Sequence, residues 1–172
     1  MVTAAVLLAG CASSPTATPV LVATAASMSA PTPSPTLEIS AGRLLVEVGR
    51  GTFVVDVADD TEERAVGLSG RDRLADGEGM WFDLGVEREV GFWMRGMLIP
   101  LDMIWVDVGL EVVAVTADVP VPAPGTAASE LALYGPDVPV RYVLEINAGL
   151  ASELGIEPNM RVTITGPLRL SE

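Results

Sequence analysis

The side chains this sequence offers for chemistry are carboxylates, arginines, hydroxyls and phenols. Across 172 residues there is no histidine, and all ten basic residues are arginine. The only cysteine, Cys11, precedes the first charged residue, Glu38. These absences remove Ser-His-Asp and Cys-His nucleophiles, lysine Schiff bases, the phosphate-holding lysine of a P-loop and zinc sites built from His or Cys. A bound metal would have to be a hard ion held by oxygen; no metal site and no cofactor is expected.

Two acidic residues occupy apolar surroundings. Asp102 closes "GFWMRGMLIPLD" (residues 91–102), and Glu145 sits in "RYVLEIN" (residues 141–147). Read as chemistry, Asp102 and Glu145 form a general acid and base in unequal environments, as in glycoside hydrolysis. Read as architecture, Asp102 opens a buried strand and needs an arginine or backbone N–H groups to offset its burial. The arginines within reach of that reading are Arg64, Arg71 and Arg95.

All three tryptophans and four of the seven methionines lie between Met80 and Trp105. Such a concentration serves a core, or an adaptable binding surface. Period-two alternation turns Phe92 and Met94 inward and leaves Trp93 and Arg95 together on the outer side. With Arg64, Arg71 and Tyr142 they form the expected ligand-binding set.

The elements that must position these groups are short and mostly extended. "LLVEVGRGTFVVDVA" reads as a hairpin turning at Gly49-Arg50-Gly51. "DDTEERAVGL" begins a helix, with Asp60 and Glu63 in capping-box spacing and Gly67 and Gly70 ending it. Its cluster Asp59, Asp60, Glu62 and Glu63 lacks EF-hand spacing and suits a helix start. "GMWFDLGVEREVGFWMRGM" reads as a hairpin or a broken pair of strands. "LDMIWVDVGLEVVAVTADV" reads as a cleaner hairpin turning at Val108-Gly109, whose first strand is apolar on both faces and therefore central. "PVPAPGTAASE" is a loop by composition, and "VRYVLEIN" is a strand. Asn147 reads as the N-cap of a second short helix ended by Gly155, and "RVTITGPLRL" as a last strand. The expected fold is mainly β (α+β): a compact, antiparallel, barrel-like domain over residues 38–172 with two short helices.

The first residues have a different character. "MVTAAVLLAGCASS" ends an apolar run in Leu8-Ala9-Gly10-Cys11, which resembles the lipobox of bacterial lipoproteins, although Met1–Gly10 carries no basic residue. The resemblance implies a signal peptide over residues 1–10 and lipidation, palmitate included, of Cys11. Residues 11–37 are a Ser/Thr/Ala/Pro tract that cannot bury a core and reads as a disordered tether reaching about 30 Å. Acyl chains contribute about 0.8 kcal/mol per buried CH₂, so two or three would anchor the domain firmly to a membrane.

With the elements in order, Glu63-Arg64, Gly67-Leu68, Arg71, Gly79-Met80, Phe92-Trp93-Met94, Ile99-Pro100-Leu101-Asp102, Tyr142-Val143-Leu144-Glu145, Ala148-Gly149 and Gly155-Ile156 resemble a bacterial and archaeal family known as domain of unknown function 192. The resemblance covers Leu44 to Ile164. It implies a compact, mostly β domain, often exported, with no established activity. The chain departs from that family's pattern at Ser69, where Met is usual, and at Gly96-Met97, where a polar pair is usual.

The net charge of −13 falls wholly on the part from Glu38 onward. It argues against nucleic acid and anionic lipid headgroups as partners of the domain. The expected function is a non-catalytic binding or accessory module at the cell envelope: extracytoplasmic, held to the membrane through Cys11, with a small polar molecule, glycan or protein as ligand. The alternative is a carboxylate-based hydrolase using Asp102 and Glu145.

Overall fold

The computed structural model describes residues 42–166. The lipobox-like leader, Cys11 and the tether lie outside the described residues. Strands β1 (Arg43–Val48) and β2 (Gly51–Ala58) form the expected hairpin. Helix α1 (Thr61–Val66) starts as its sequence predicts: the Glu63 N–H donates to the Asp60 carboxylate at 2.8 Å, and the Glu63 carboxylate accepts from the Asp59 N–H at 3.2 Å. These bonds satisfy N–H groups that a helix start otherwise leaves open. Then follow β3 (Glu78–Arg88), β4 (Leu101–Val106), β5 (Val112–Val119), a 3₁₀ turn (Ala128–Glu130), β6 (Val140–Asn147), α2 (Leu150–Glu153) and β7 (Thr163–Thr165).

The seven strands form one sheet in the order β5-β4-β6-β3-β2-β1-β7. Every neighbouring pair is antiparallel except β2 and β3, which run parallel. That pair departs from the expected antiparallel pattern because the chain between β2 and β3 is a crossover carrying α1 rather than a tight turn. The sheet stays open, yet its two ends are drawn together: residues just before β7 bond to the start of β5, with the Val112 N–H donating to Met160 O at 2.8 Å and the Val162 N–H to Leu110 O at 2.8 Å. The result is barrel-like.

Alternation along the strands builds two cores, one on each face. Val46, Val55, Trp81, Ile104, Leu144 and Ile146 share one face, which α2 covers through Ala151. Met80, Phe82, Met103, Trp105 and Val143 share the other, covered by Leu68, Met94 and Met97 from the segments outside the sheet. Strand β4 is therefore buried at every position, as expected of an apolar strand inside a sheet. Each fully buried Leu, Ile or Met contributes about 1.5–3 kcal/mol to this packing.

Two local expectations are corrected. The stretch from Gly79 to Met97 is not a pair of strands: β3 continues to Arg88, and the segment 89–100 crosses the second core irregularly, with one isolated bridge where Phe92 and Tyr134 exchange N–H···O bonds of 2.7 and 2.8 Å. Its aromatic and sulfur side chains satisfy packing rather than a ladder. Phe92 meets Phe82 and Trp105 edge-on, with ring centroids 5.0 and 5.5 Å away. Asn147 does not cap α2 either. It is the last residue of β6, its amide donates to Leu74 O at 3.0 Å, and Gly149 takes the N-cap position. Gly155 follows the helix with positive φ, as its sequence predicts.

Candidate ligand pocket

Glu145 lies in β6 with Met80 of β3 and Met103 of β4 directly across from it on either side. Cross-strand neighbours stand about 4.5–5.5 Å apart at Cβ, so the carboxyl is flanked by two thioether side chains in the second core. It is 5% exposed and has no hydrogen-bond partner among the described residues. Burial alone raises its pKa from 4.5 to about 8, because an apolar surrounding penalises the charged form. The group is therefore mostly a neutral carboxylic acid at pH 7, able to donate a hydrogen bond. Gly79 makes this strand packing possible: a Cβ there would lie 2.7 Å from Glu145 O.

The Glu145 carboxyl forms part of the wall of a cavity of about 530 Å³ beside α1 and the 89–97 segment. Its apolar wall includes Phe82, Leu84, Phe92 and Met97, and its rim includes Arg64, Arg88, Glu89, Trp93 and Arg95. Trp93 is 45% exposed, and the Arg95 guanidinium stands 5.7 Å from its ring centroid, within cation–π range. The alternation expected for residues 92–95 holds, although no strand imposes it: burying Phe92 and Met94 leaves Trp93 and Arg95 outside.

Three arginines meet at this cavity, and none of them pairs with a carboxylate among the described residues. Arg64 donates to the carbonyls of Asp59 and Asp83 at 2.6 and 2.8 Å, tying α1 to β3. Arg88 and Arg95 are exposed and make no ion pair among the described residues. Of the other arginines, Arg43 and Arg71 flank Asp56 at 3.0 and 2.7 Å and Arg141 meets Asp83 at 2.8 Å, while Arg50, Arg73 and Arg161 have no carboxylate partner among the described residues.

The two family departures touch here. The Ser69 hydroxyl donates to Arg95 O at 2.7 Å, the Gly70 N–H donates to Gly96 O at 2.8 Å, and a Cβ on Gly96 would lie 3.4 Å from Ser69 Cβ. Gly96 has φ 70°, which a residue without Cβ adopts at little cost. Ser69 and Gly96-Met97 thus form one coupled contact at the pocket wall.

Asp102 has a different place and partner from those expected. It is fully buried, and no arginine among the described residues pairs with it. Its two carboxylate oxygens accept from the Asp118 N–H and the Ala151 N–H, both at 2.8 Å. Ala151 is in the first turn of α2, so Asp102 supplies from β4 the cap that Asn147 does not. Asp102 shares its sheet face with Ile104 and Val106, whereas Glu145 faces the other core. The structure does not bring the two carboxylates to one substrate: Met103, not Asp102, stands across from Glu145.

Of the other expected ligand-binding residues, Trp93, Arg95 and Arg64 reach the pocket. Arg71 is committed to Asp56, and Tyr142 is stacked on Trp81 with centroids 5.1 Å apart, packed against the first core. Sequence reasoning missed Arg88, Ser69 and Phe82 as lining residues. Strand parity places Phe82 beside Met80 on the pocket face, but the position of Arg88 depends on an irregularity in the β3–β6 pairing between Asp83 and Arg88.

The fold and pocket define a small, barrel-like β domain with a ligand-sized cavity beside its second core. Residues 44–164 match the family DUF192, described as Uncharacterized ACR, and the chain belongs to it. It resembles a crystal structure from Sinorhizobium meliloti 1021, described as a candidate transcription regulator, with 29% identity and a TM-score of 0.64 over 73% of this chain and 96% of that one. It also resembles a protein of unknown function from Novosphingobium aromaticivorans DSM 12444, with 33% identity and a TM-score of 0.61 over 81% of this chain and 96% of that one. No match is found among curated proteins.

Proposed function

We propose that the protein is a non-catalytic small-ligand-binding module tethered at the extracytoplasmic face of a bacterial membrane. The observation that carries the binding reading is the Glu145 carboxyl, 5% exposed and without a hydrogen-bond partner among the described residues, in the wall of a cavity rimmed by arginines that have no carboxylate partner among those residues. A carboxyl with no hydrogen-bond partner among the described residues, open to the cavity, is free to pair with a ligand acceptor. Separation of Asp102 from Glu145 removes the acid–base pair on which the hydrolase reading rests, which favours binding. The tether rests on the lipobox-like Leu8-Ala9-Gly10-Cys11 and the Pro-rich tract after it.

A thermal-shift screen of small molecules against the full-length chain tests the binding reading, with Ala65→Trp run alongside. Ala65 is exposed at the cavity wall, so tryptophan there fills the mouth without entering a core. Compounds that raise the melting temperature should lose their effect in the variant; hits that persist in it would place the site elsewhere. Detergent partitioning of wild type and Cys11→Ser tests the tether, which requires that only the variant move to the aqueous phase.

A further inference from the structure

We infer that the pocket takes an organic anion with a flat apolar body, its acidic group at the Arg88–Arg95 mouth and a hydrogen-bond acceptor directed to the Glu145 carboxyl. The inference rests on the pocket reading above and adds the chemical class of the ligand. In a chain of net charge −13, Arg64, Arg88 and Arg95 outnumber Glu89 at the rim of one cavity, and Arg88 and Arg95 have no carboxylate partner among the described residues, which makes a local exception to the field of the whole molecule. Guanidiniums left unpaired are suited to carboxylate, sulfonate or phosphate oxygens. Between mouth and floor the wall is Phe82, Phe92 and Met97, which suits an aromatic or aliphatic body. Trp93 at the rim adds a flat face for stacking.

The floor selects for an acceptor rather than a cation. The charged and titratable groups around the cavity are Arg64 on α1, Arg88 and Glu89 at the end of β3, and Arg95 on the covering segment, while Met80 and Met103 flank Glu145 itself. Burial is what raises the pKa of Glu145. Arg88 and Arg95 are exposed whereas Glu145 is buried, so the guanidiniums mark the open side of the cavity and the carboxyl its closed side, with room for the ligand body between. As a neutral acid, Glu145 donates to a carbonyl, hydroxyl or carboxylate oxygen; once ionised it repels an anionic guest. Binding should therefore weaken as pH rises past about 8.

Two fluorescent probes separate this inference from the pocket reading: 1-anilinonaphthalene-8-sulfonate, which is anionic, and N-phenyl-1-naphthylamine, its neutral relative. Each is titrated into the full-length chain, Ala65→Trp, Arg88→Gln/Arg95→Gln and Glu145→Gln, with folding checked by circular dichroism. Both arginines are exposed and neither makes an ion pair among the described residues, so the double variant should keep its fold. The anionic probe should bind wild type more tightly than the neutral one and lose roughly tenfold in the double arginine variant. The neutral probe should be indifferent to that variant, Glu145→Gln should flatten the pH dependence, and Ala65→Trp should exclude both probes. Equal binding of the two probes, unchanged by the arginine substitutions but blocked by Ala65→Trp, overturns the ligand class and leaves the pocket standing. Binding undiminished in Ala65→Trp, or no binding at all, overturns both.

Discussion

Replacing Glu145 by Gln should make the protein more stable at neutral and alkaline pH, and the gain should grow with pH in a defined window. In the unfolded chain this carboxyl ionises near 4.5, whereas in the folded protein it keeps its proton to about 8. Between those values the folded state binds more protons than the unfolded one, so stability falls as pH rises. Each pH unit in the window costs about 1.4 kcal/mol, giving about 3 kcal/mol at pH 7 and about 5 kcal/mol above pH 8. Glutamine keeps the shape and does not titrate. Its own cost is a constant offset, and the slope with pH carries the test. Urea unfolding of both proteins from pH 4 to 9 measures the difference directly. The two should run parallel below pH 4.5, diverge through the window and run parallel again above about 8. For a domain of this size the pH 7 difference corresponds to a melting temperature higher by roughly 10 °C in the variant. Curves that stay parallel throughout, or a carbon-13 titration placing the Glu145 carboxyl near its ordinary value, would refute the reasoning. Either result would mean that water or an arginine already stabilises the carboxylate.

Asp102→Asn removes one of two charge-assisted acceptors and turns an amide NH₂ toward a backbone N–H, at a cost of about 2–3 kcal/mol. Faster hydrogen exchange at the Ala151 or Asp118 amide should accompany the loss, and wild-type exchange at both would count against the capping role. Gly79→Ala forces a Cβ to within 2.7 Å of Glu145 O, so it should lose about 1–3 kcal/mol in denaturant unfolding; a neutral result would mean that β3 and β6 separate freely. Arg71→Gln breaks a part-exposed pair with Asp56, which keeps Arg43, and should cost less than about 1 kcal/mol by the same measurement.

Much of the fold was legible because it is written in local periodicity. The Gly49-Arg50 turn, the Asp60/Glu63 helix start, the doubly apolar β4 and the Gly155 helix end each depend on residues within a few positions of one another. The outward pair Trp93 and Arg95 was legible for the same reason, although the segment holding them proved irregular. What was not legible was partnership at a distance. Asp102 invited an arginine by charge, yet its acceptors are filled by backbone N–H groups 16 and 49 residues away. Asn147 looked like a cap because its neighbours resemble a helix start, but the sheet claims it and Asp102 takes the role. Composition showed that carboxylates and arginines were the only charged groups available, and alternation assigned their sides along each strand. Only the tertiary structure decided that Asp102 and Glu145 face opposite cores, and that Arg88 joins Arg64 and Arg95 at one cavity. Strand order and register set which side chains become neighbours, and both depend on closing the whole sheet rather than on any single segment.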